Sequence, residues 1–172
     1  QQKRESISYG SGFILKDNTN DLGYQSVTIP GSLKAYFEAQ TKHGTMAWAD
    51  VVSPAIEWAI SGTIIRPQMV HFWNVEDGSG RVQTRERLSF SDTGRRVYFN
   101  KDGTLKKLGQ TLLNPDLANC LTRIAQDGAD IFYQGEIAEQ IAADMAENGG
   151  LLTLEDLKTY ETKIVEPLWG DY

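Results

Sequence analysis

Apolar side chains recur at helical spacing in four stretches of this sequence, and each stretch stops at a glycine. Spacings of three and four residues place these side chains on one face of a helix, and glycine readily adopts the left-handed backbone that ends helices. The sequence therefore predicts a mainly helical fold. The four stretches are residues 33–37 before Gly44, 48–60 before Gly62, 117–124 before Gly128 and 137–145 before Gly149.

Residues that cap helices stand near the start of several of these stretches. Asn114 precedes Pro115, which predicts a cap followed by the first residue of a helix. Thr153 and Asp156 have the spacing of a capping box and predict a further short helix. Ser32 and Thr45 are predicted to cap the first two helices, which otherwise have no marked beginning.

Between the helices the sequence predicts short strands and turns within one partial domain, residues 1–172. Alternating or β-branched residues predict strands at Ser26–Ile29 and Val97–Phe99. Met69–Trp73 is a short apolar segment, residues 82–90 are ambiguous, and the glycines of 76–112 indicate a loop-rich stretch. We expect an extended segment after Ile164.

Composition limits the classes of function. Hydrophobic residues make up 40% of the 172 residues, which is enough for a buried core. A net charge of −6 argues against nucleic acid as a partner, because phosphate binding needs a positive surface. No apolar run is long enough for a membrane span. The single cysteine excludes an internal disulfide, and no metal-site spacing or cofactor motif is present, so we predict no metal and no cofactor.

The two histidines suggest a Ser-His-Asp arrangement only weakly. Either Asp50 or Asp92 could complete such a set, but no serine stands in a nucleophile-elbow pattern. We interpret His43 as a positive charge near the end of a helix and His71 as a partly buried ring. No catalytic residue is predicted in this chain.

Other reactive side chains have simpler interpretations. Asp130, Glu136 and Asp144 could act as acid and base in a cleft, but each is predicted on the solvated face of its helix. Cys120 is interpreted as a small, buried apolar residue rather than a nucleophile.

Two aromatic residues and a glycine pair also have ordinary structural interpretations. Trp48 and Trp58 are ten residues apart on one predicted helix, which places both on a packing face in the core. Gly78 and Gly80 lack the flanking strand and helix of a phosphate-binding loop, so we interpret them as part of a loop.

Several short sequence blocks resemble, in the same order, the large chain of gamma-glutamyltranspeptidases. They cover most of the chain from Ser26 onward, and their shared order is more specific than any block alone. The blocks are SVTIPG from Ser26, HGTMAW from His43, PAIEWA from Pro54, DIFYQGEIA from Asp130, GGLLTLEDL from Gly149 and PLWGDY from Pro167.

The resemblance implies an N-terminal-nucleophile hydrolase of αββα architecture, of which this chain is the helical part. In that family a precursor cleaves itself, and a threonine at the new amino terminus of the small subunit attacks a gamma-glutamyl amide. That threonine is expected beyond Tyr172, so the fragment alone should be inactive. The implied partners are the rest of the precursor with its small subunit and a gamma-glutamyl substrate such as glutathione. Typical members are periplasmic or extracellular, and the compartment of this protein stays open.

Arg4, followed by Glu5, resembles an arginine-glutamate pair that the family uses for its substrate. The resemblance implies that Arg4 binds the α-carboxylate of the gamma-glutamyl group, and a planar guanidinium suits a bidentate contact. The alternative is a solvated surface charge. Ser8 stands where the family usually has proline, and the spacer to Pro30 is short.

Two alternative functions remain at this point. The short spacer also suits related amide hydrolases such as cephalosporin-type acylases. A rival of another class is a stand-alone helical interaction domain with an exposed apolar face. If the chain is instead part of a larger sandwich, we expect exposed apolar residues around Trp169 or Trp73.

Overall fold

Nine α-helices and two antiparallel pairs of short strands form the part of the chain that the computed structural model describes, residues 5–6, 13–75 and 81–170. Strand β1 (Glu5–Ser6) pairs with β2 (Phe13–Ile14), and β3 (Thr63–Ile64) pairs with β4 (Thr111–Leu112). Short 3-10 turns lie at Lys16–Asn18 and Tyr24–Ser26. The helices are α1 (Ser32–His43), α2 (Trp48–Ser61), α3 (Pro67–Asn74), α4 (Thr84–Ser89), α5 (Asp92–Tyr98), α6 (Pro115–Asp127), α7 (Asp130–Tyr133), α8 (Glu136–Glu147) and α9 (Leu154–Thr159).

The predicted start of α6 and the capping box of α9 are both confirmed. The Asn114 side chain accepts a hydrogen bond from the Leu117 amide at 3.1 Å, with Pro115 as the first helical residue. Thr153 accepts from the Asp156 amide at 3.2 Å, and the Asp156 carboxylate accepts from the Thr153 amide at 2.8 Å. Both caps satisfy amides that have no partner inside the helix.

The predicted caps of α1 and α2 are wrong, and so is the strand at Ser26–Ile29. Ser32 is the first helical residue of α1 and follows Gly31, while α2 begins at Trp48, three residues after Thr45. Neither helix has a side-chain cap. The chain makes a 3-10 turn at Tyr24–Ser26 and then runs on without pairing to a strand.

The middle of the chain contains more helix than its glycines indicate. Met69–Trp73 lies within α3, and the stretch 76–112 that we expected to be loop-rich contains two short helices, α4 of six residues and α5 of seven. The predicted strand Val97–Phe99 is wrong, because Val97 lies in α5, whose Ser91 cap accepts from the Gly94 amide at 3.0 Å. Phe99 forms only an isolated bridge to Leu105. The Gly78 and Gly80 positions lie outside the described residues.

Two clusters of buried side chains form the core. The larger cluster joins α7, α8 and α9, and Leu33 and Phe37 of α1 pack against it. Its buried members are Ala129, Tyr133, Ala138, Met145, Leu152 and Leu157.

The smaller cluster joins the β3–β4 pair to α3 through Ile65, Trp73 and Leu105. The Trp73 ring meets the Tyr98 ring edge-on, with 5.7 Å between centroids. The expectation of an exposed surface at Trp73 is therefore wrong, whereas Trp169 is exposed as expected.

Helix α2 packs mainly on α6, and this contact covers only one side of α2. Val52 and Ala59 are buried, and the Trp48 indole donates to the Ile124 carbonyl at 2.9 Å. Trp58 is 59% exposed, so its predicted place in the core is wrong. Within the described residues, one neighbouring helix is too narrow to enclose the whole apolar surface of α2.

Candidate functional site

The predicted substrate ligand, Arg4, lies outside the described residues, so its role stays a prediction. The backbone that follows it is described: Glu5 pairs with Ile14, and Ser6 pairs with Phe13, in the antiparallel strands β1 and β2. The chain directly after Arg4 is therefore fixed by ladder hydrogen bonds.

The histidines occupy exposed positions on different helices. His43 is exposed in the last turn of α1, which confirms its predicted position near a helix end. His71 is exposed in α3, with its ring centroid 5.7 Å from that of Phe72, so the expected partial burial is wrong. The α3 face that carries Trp73 is the one that turns to the core.

The three candidate acid-base carboxylates are exposed, as predicted. Glu136 forms an ion pair with Arg123 at 2.5 Å, and Asp144 accepts from the Tyr24 hydroxyl at 3.4 Å. Asp130 is likewise exposed, at the first position of α7. Solvated surface positions explain all three side chains.

Cys120 is partly buried on α6. Burial raises the pKa of its thiol above the usual range, and the opposing charge of Arg123 does not offset this effect. Since the thiolate is the nucleophilic form of cysteine, a raised pKa argues against a nucleophilic role. Within the residues that the structure describes, no three His, Cys, Asp or Glu side chains come together as a candidate metal site.

The most enclosed polar arrangement is a tyrosine cluster formed by Lys34, Tyr133 and Tyr160. The hydroxyl of the fully buried Tyr133 donates to the Pro30 carbonyl and accepts from the Lys34 amide at 3.0 Å. The Lys34 ammonium donates to the Tyr160 carbonyl and lies 5.4 Å from the centroid of the Tyr133 ring. This cluster fixes the turn that leads into α1.

Aromatic stacking and the absence of a side chain at Gly31 complete the tyrosine cluster. The rings of Tyr133 and Tyr160 stack with 6.1 Å between centroids. A Cβ atom at Gly31 would come 2.0 Å from the Tyr160 hydroxyl, so any side chain at this place would displace the Tyr160 ring. Burial raises the pKa of the Tyr133 hydroxyl, against the hydrogen bond from the Lys34 amide. Tyr133 therefore stays neutral and acts as a structural hydrogen-bonding group.

A second polar arrangement joins the loop after β2 to α4. Arg87 makes an ion pair with Asp21 at 2.5 Å and also donates to the Asp21 carbonyl at 2.7 Å. The Val82 amide donates to the other Asp21 carboxylate oxygen at 2.7 Å. Burial alone would raise the pKa of Asp21, but these hydrogen bonds and the Arg87 charge hold it below its ordinary value.

Several open clefts lie on the surface of the described residues. One has a volume of about 410 Å³ and is bounded by α3 and α4. Another, of about 320 Å³, lies between the 22–27 segment and Met145, beside Phe90. Among the described residues, no helix has the length and apolar character needed to cross a bilayer.

Comparison with known proteins gives a consistent result over almost the whole chain. The family model described as gamma-glutamyltranspeptidase matches residues 9–172. The Glutathione hydrolase proenzyme of Escherichia coli (strain K12) is 36% identical over 165 residues, which is 92% of this chain and 27% of the relative. The Acylase ACY 1 proenzyme of Pseudomonas sp. (strain SE83) is 31% identical over 157 residues, which is 91% of this chain and 26% of the relative.

Solved structures of similar proteins agree with these matches. Helicobacter pylori gamma-glutamyltranspeptidase has a TM-score of 0.79 and 28% identity, covering 99% of this chain and 48% of that chain. Cephalosporin acylase from Bacillus halodurans has a TM-score of 0.74 and 29% identity, covering 88% of this chain and 28% of that chain. The chain thus spans about a quarter of the length of the relatives it matches in sequence.

Proposed function

The chain belongs to the gamma-glutamyltranspeptidase family, and we propose that it is a segment of the large subunit of an enzyme that transfers or hydrolyses gamma-glutamyl groups, for example those of glutathione. The predicted fold class is confirmed, since the mainly helical chain matches N-terminal-nucleophile hydrolases of known structure. The match of residues 9–172 to the family is the observation that supports the proposal most directly.

In the proposed reaction, the nucleophile is an N-terminal threonine of the small subunit, outside this chain. Its α-amine takes the hydroxyl proton while the oxygen bonds to the gamma-carbonyl carbon of the substrate. The carbon–nitrogen bond then breaks, the amine product leaves with that proton, and water or an acceptor amine cleaves the resulting ester. The role of this chain is to support that site, and its partner is the rest of its own precursor.

Arg4 is the residue of this chain that we propose to contact the substrate. The proposal rests on the resemblance of the Arg4–Glu5 pair to the arginine-glutamate pair that the family uses for its substrate. A guanidinium in that place would bind the α-carboxylate through two parallel hydrogen bonds.

The complete gene product and the 172-residue chain should be assayed separately with a gamma-glutamyl anilide. We expect turnover by the complete protein and none by the chain, because the proposed threonine nucleophile belongs to the small subunit. Turnover by the purified chain, or no gamma-glutamyl turnover by the complete, processed protein, would contradict the proposal.

Arg4→Ala in the complete protein tests the substrate contact. We expect kcat/KM to fall by the equivalent of about 2–5 kcal/mol, since the α-carboxylate loses its charged partner, and Arg4→Lys to restore only part of the loss. An analogue without the α-carboxylate is the control. Equal losses on both substrates would show that Arg4 does not recognise that group.

An amide hydrolase of the cephalosporin-acylase type is the second candidate function. The 31% identity to Acylase ACY 1 and the structural match to a cephalosporin acylase favour it. The two candidate functions can be distinguished by assaying the complete protein with a gamma-glutamyl anilide and with a cephalosporin amide in parallel. The larger kcat/KM then identifies the substrate class.

A further inference from the structure

Helix α2 has apolar side chains on a second face that the described residues of this chain leave exposed. Val51, Pro54, Ala55 and Trp58 are spaced by three and four residues and therefore share one face of the helix. All four are exposed, whereas Val52 and Ala59 on the side toward α6 are buried. We call these four residues the α2 stripe.

An exposed stripe of this kind differs from scattered surface hydrophobics. A surface helix normally has one apolar face and one polar face, and a helix that is apolar on two sides belongs inside a larger assembly. Trp58 contributes the largest side chain of the stripe, and 59% of its surface is exposed. A contiguous apolar surface of this type marks a contact site.

We propose that the α2 stripe is covered by the polypeptide of the complete protein that lies outside this chain. This inference rests on the proposed function, in which the chain works within a longer precursor. The chain spans about a quarter of the relatives it matches in sequence and 48% of the Helicobacter pylori structure, so in those proteins the polypeptide outside the matched segment is at least as large as this chain.

The chemistry around the α2 stripe defines the surface that would fit it. Asp50 and Glu57 are both exposed and lie along one edge of the stripe, at helical positions next to Val51 and Trp58. The covering surface should therefore be apolar at its centre and basic or hydrogen-bond-donating at that edge. A symmetric pair of two copies would bring the same carboxylates near one another, and the net charge of −6 adds to that repulsion.

Thiol labelling of the complete protein can test this inference with two nearly isosteric substitutions. Ala55→Cys lies in the α2 stripe, and Ser53→Cys is its control on the same helix, because Ser53 is also exposed but lies off the stripe. Both are made in a Cys120→Ser background and compared with that parent. We expect the thiol at position 55 to react at least about tenfold more slowly than the thiol at 53 in the native protein, and equally fast in urea.

Equal native labelling rates at positions 53 and 55 would overturn the inference. Protection at position 55 that disappears on dilution would also overturn it, because a second copy would then cover the α2 stripe. Gamma-glutamyl anilide turnover is measured on the same samples. Protection without turnover leaves the inference standing and contradicts the proposed function, whereas turnover without protection contradicts the inference alone.

Discussion

Tyr133 and Trp58 are both large aromatic side chains on helices, yet Tyr133 is fully buried and Trp58 is mostly exposed. Tyr133 lies where α7, α8 and α9 meet, with α1 packed against them, and both hydrogen-bonding capacities of its hydroxyl are used. Trp58 belongs to a helix whose main neighbour, α6, leaves the Trp58 side chain 59% exposed. The two residues differ in burial because Tyr133 has several neighbouring helices and Trp58 has few, and not because of their side-chain types.

The comparison indicates how stability is distributed within this chain. The region around Tyr133, which we call the closed region, comprises α1, α7, α8 and α9 and buries complete side chains within the chain itself. The α2 stripe obtains no comparable burial from the described residues. Substitutions in the closed region should therefore destabilise the chain alone, whereas substitutions at open positions should have small effects until a partner is present.

The largest effect is expected for a large-to-small substitution in the closed region. Leu157 is fully buried, so Leu157→Ala should lower the free energy of unfolding by about 2–5 kcal/mol through lost burial and a cavity. Leu168 is fully exposed, and Leu168→Ala is the matched control with a change within about 0.5 kcal/mol. Urea unfolding measures the free energy of unfolding of both variants. Similar losses in the two variants would contradict the expected difference between buried and exposed positions.

A second effect concerns the link between the loop after β2 and α4. Asp21→Asn removes the charge that Arg87 faces, and a loss of about 1.5–3 kcal/mol is expected for hydrogen bonds to a charged group. Because the folded pKa of Asp21 lies below its ordinary value of 3.8, its stabilisation is present above that pH and is lost as the pH falls through the folded pKa. As the pH falls from 6 to 2, the urea midpoint should therefore decrease less in Asp21→Asn than in the parent protein. Parallel plots of urea midpoint against pH for the two proteins would contradict this prediction.

A smaller effect is expected when only the Tyr133 hydroxyl is removed. Tyr133→Phe keeps the ring but leaves the Pro30 carbonyl and the Lys34 amide without their shared partner, which should cost about 1–2 kcal/mol. Tyr36, which is exposed on α1, provides the control through Tyr36→Phe. Thermal unfolding monitors both, and an unchanged Tm for Tyr133→Phe would show that the hydroxyl does not stabilise the turn before α1.

Local sequence signals predicted the parts of the fold that depend on neighbouring residues. Asn114 and Pro115 marked the start of α6, and Thr153 with Asp156 marked α9, because a cap joins residues only three positions apart. The short helices α3 to α5 were not predicted, since segments of six to eight residues show little periodicity.

The two polar arrangements around Tyr133 and Asp21 were less predictable than the helix starts, because their contacts join distant parts of the chain. The Tyr133 hydroxyl meets the Pro30 carbonyl across 103 residues, and Arg87 meets Asp21 across 66. A tyrosine in an apolar segment does signal a buried ring whose hydroxyl needs a partner, but it does not identify that partner. Trp58 was placed in the core because periodicity reports a face of the helix and not what covers it.

The smallest effect is expected for an ion pair on the exposed surface. Arg96 and Asp116 join α5 to α6 at 3.1 Å, and each side chain is 64% exposed. Water and salt screen such a pair, so its coupling energy should be no more than about 0.5–1 kcal/mol. A double-mutant cycle of Arg96→Gln and Asp116→Asn isolates that coupling from the separate interaction of Asp116 with the first turn of α6. Urea unfolding at low and at high salt should show the coupling decreasing as salt rises; a coupling above about 1.5 kcal/mol that salt does not change would mean that this surface is as enclosed as the region around Tyr133.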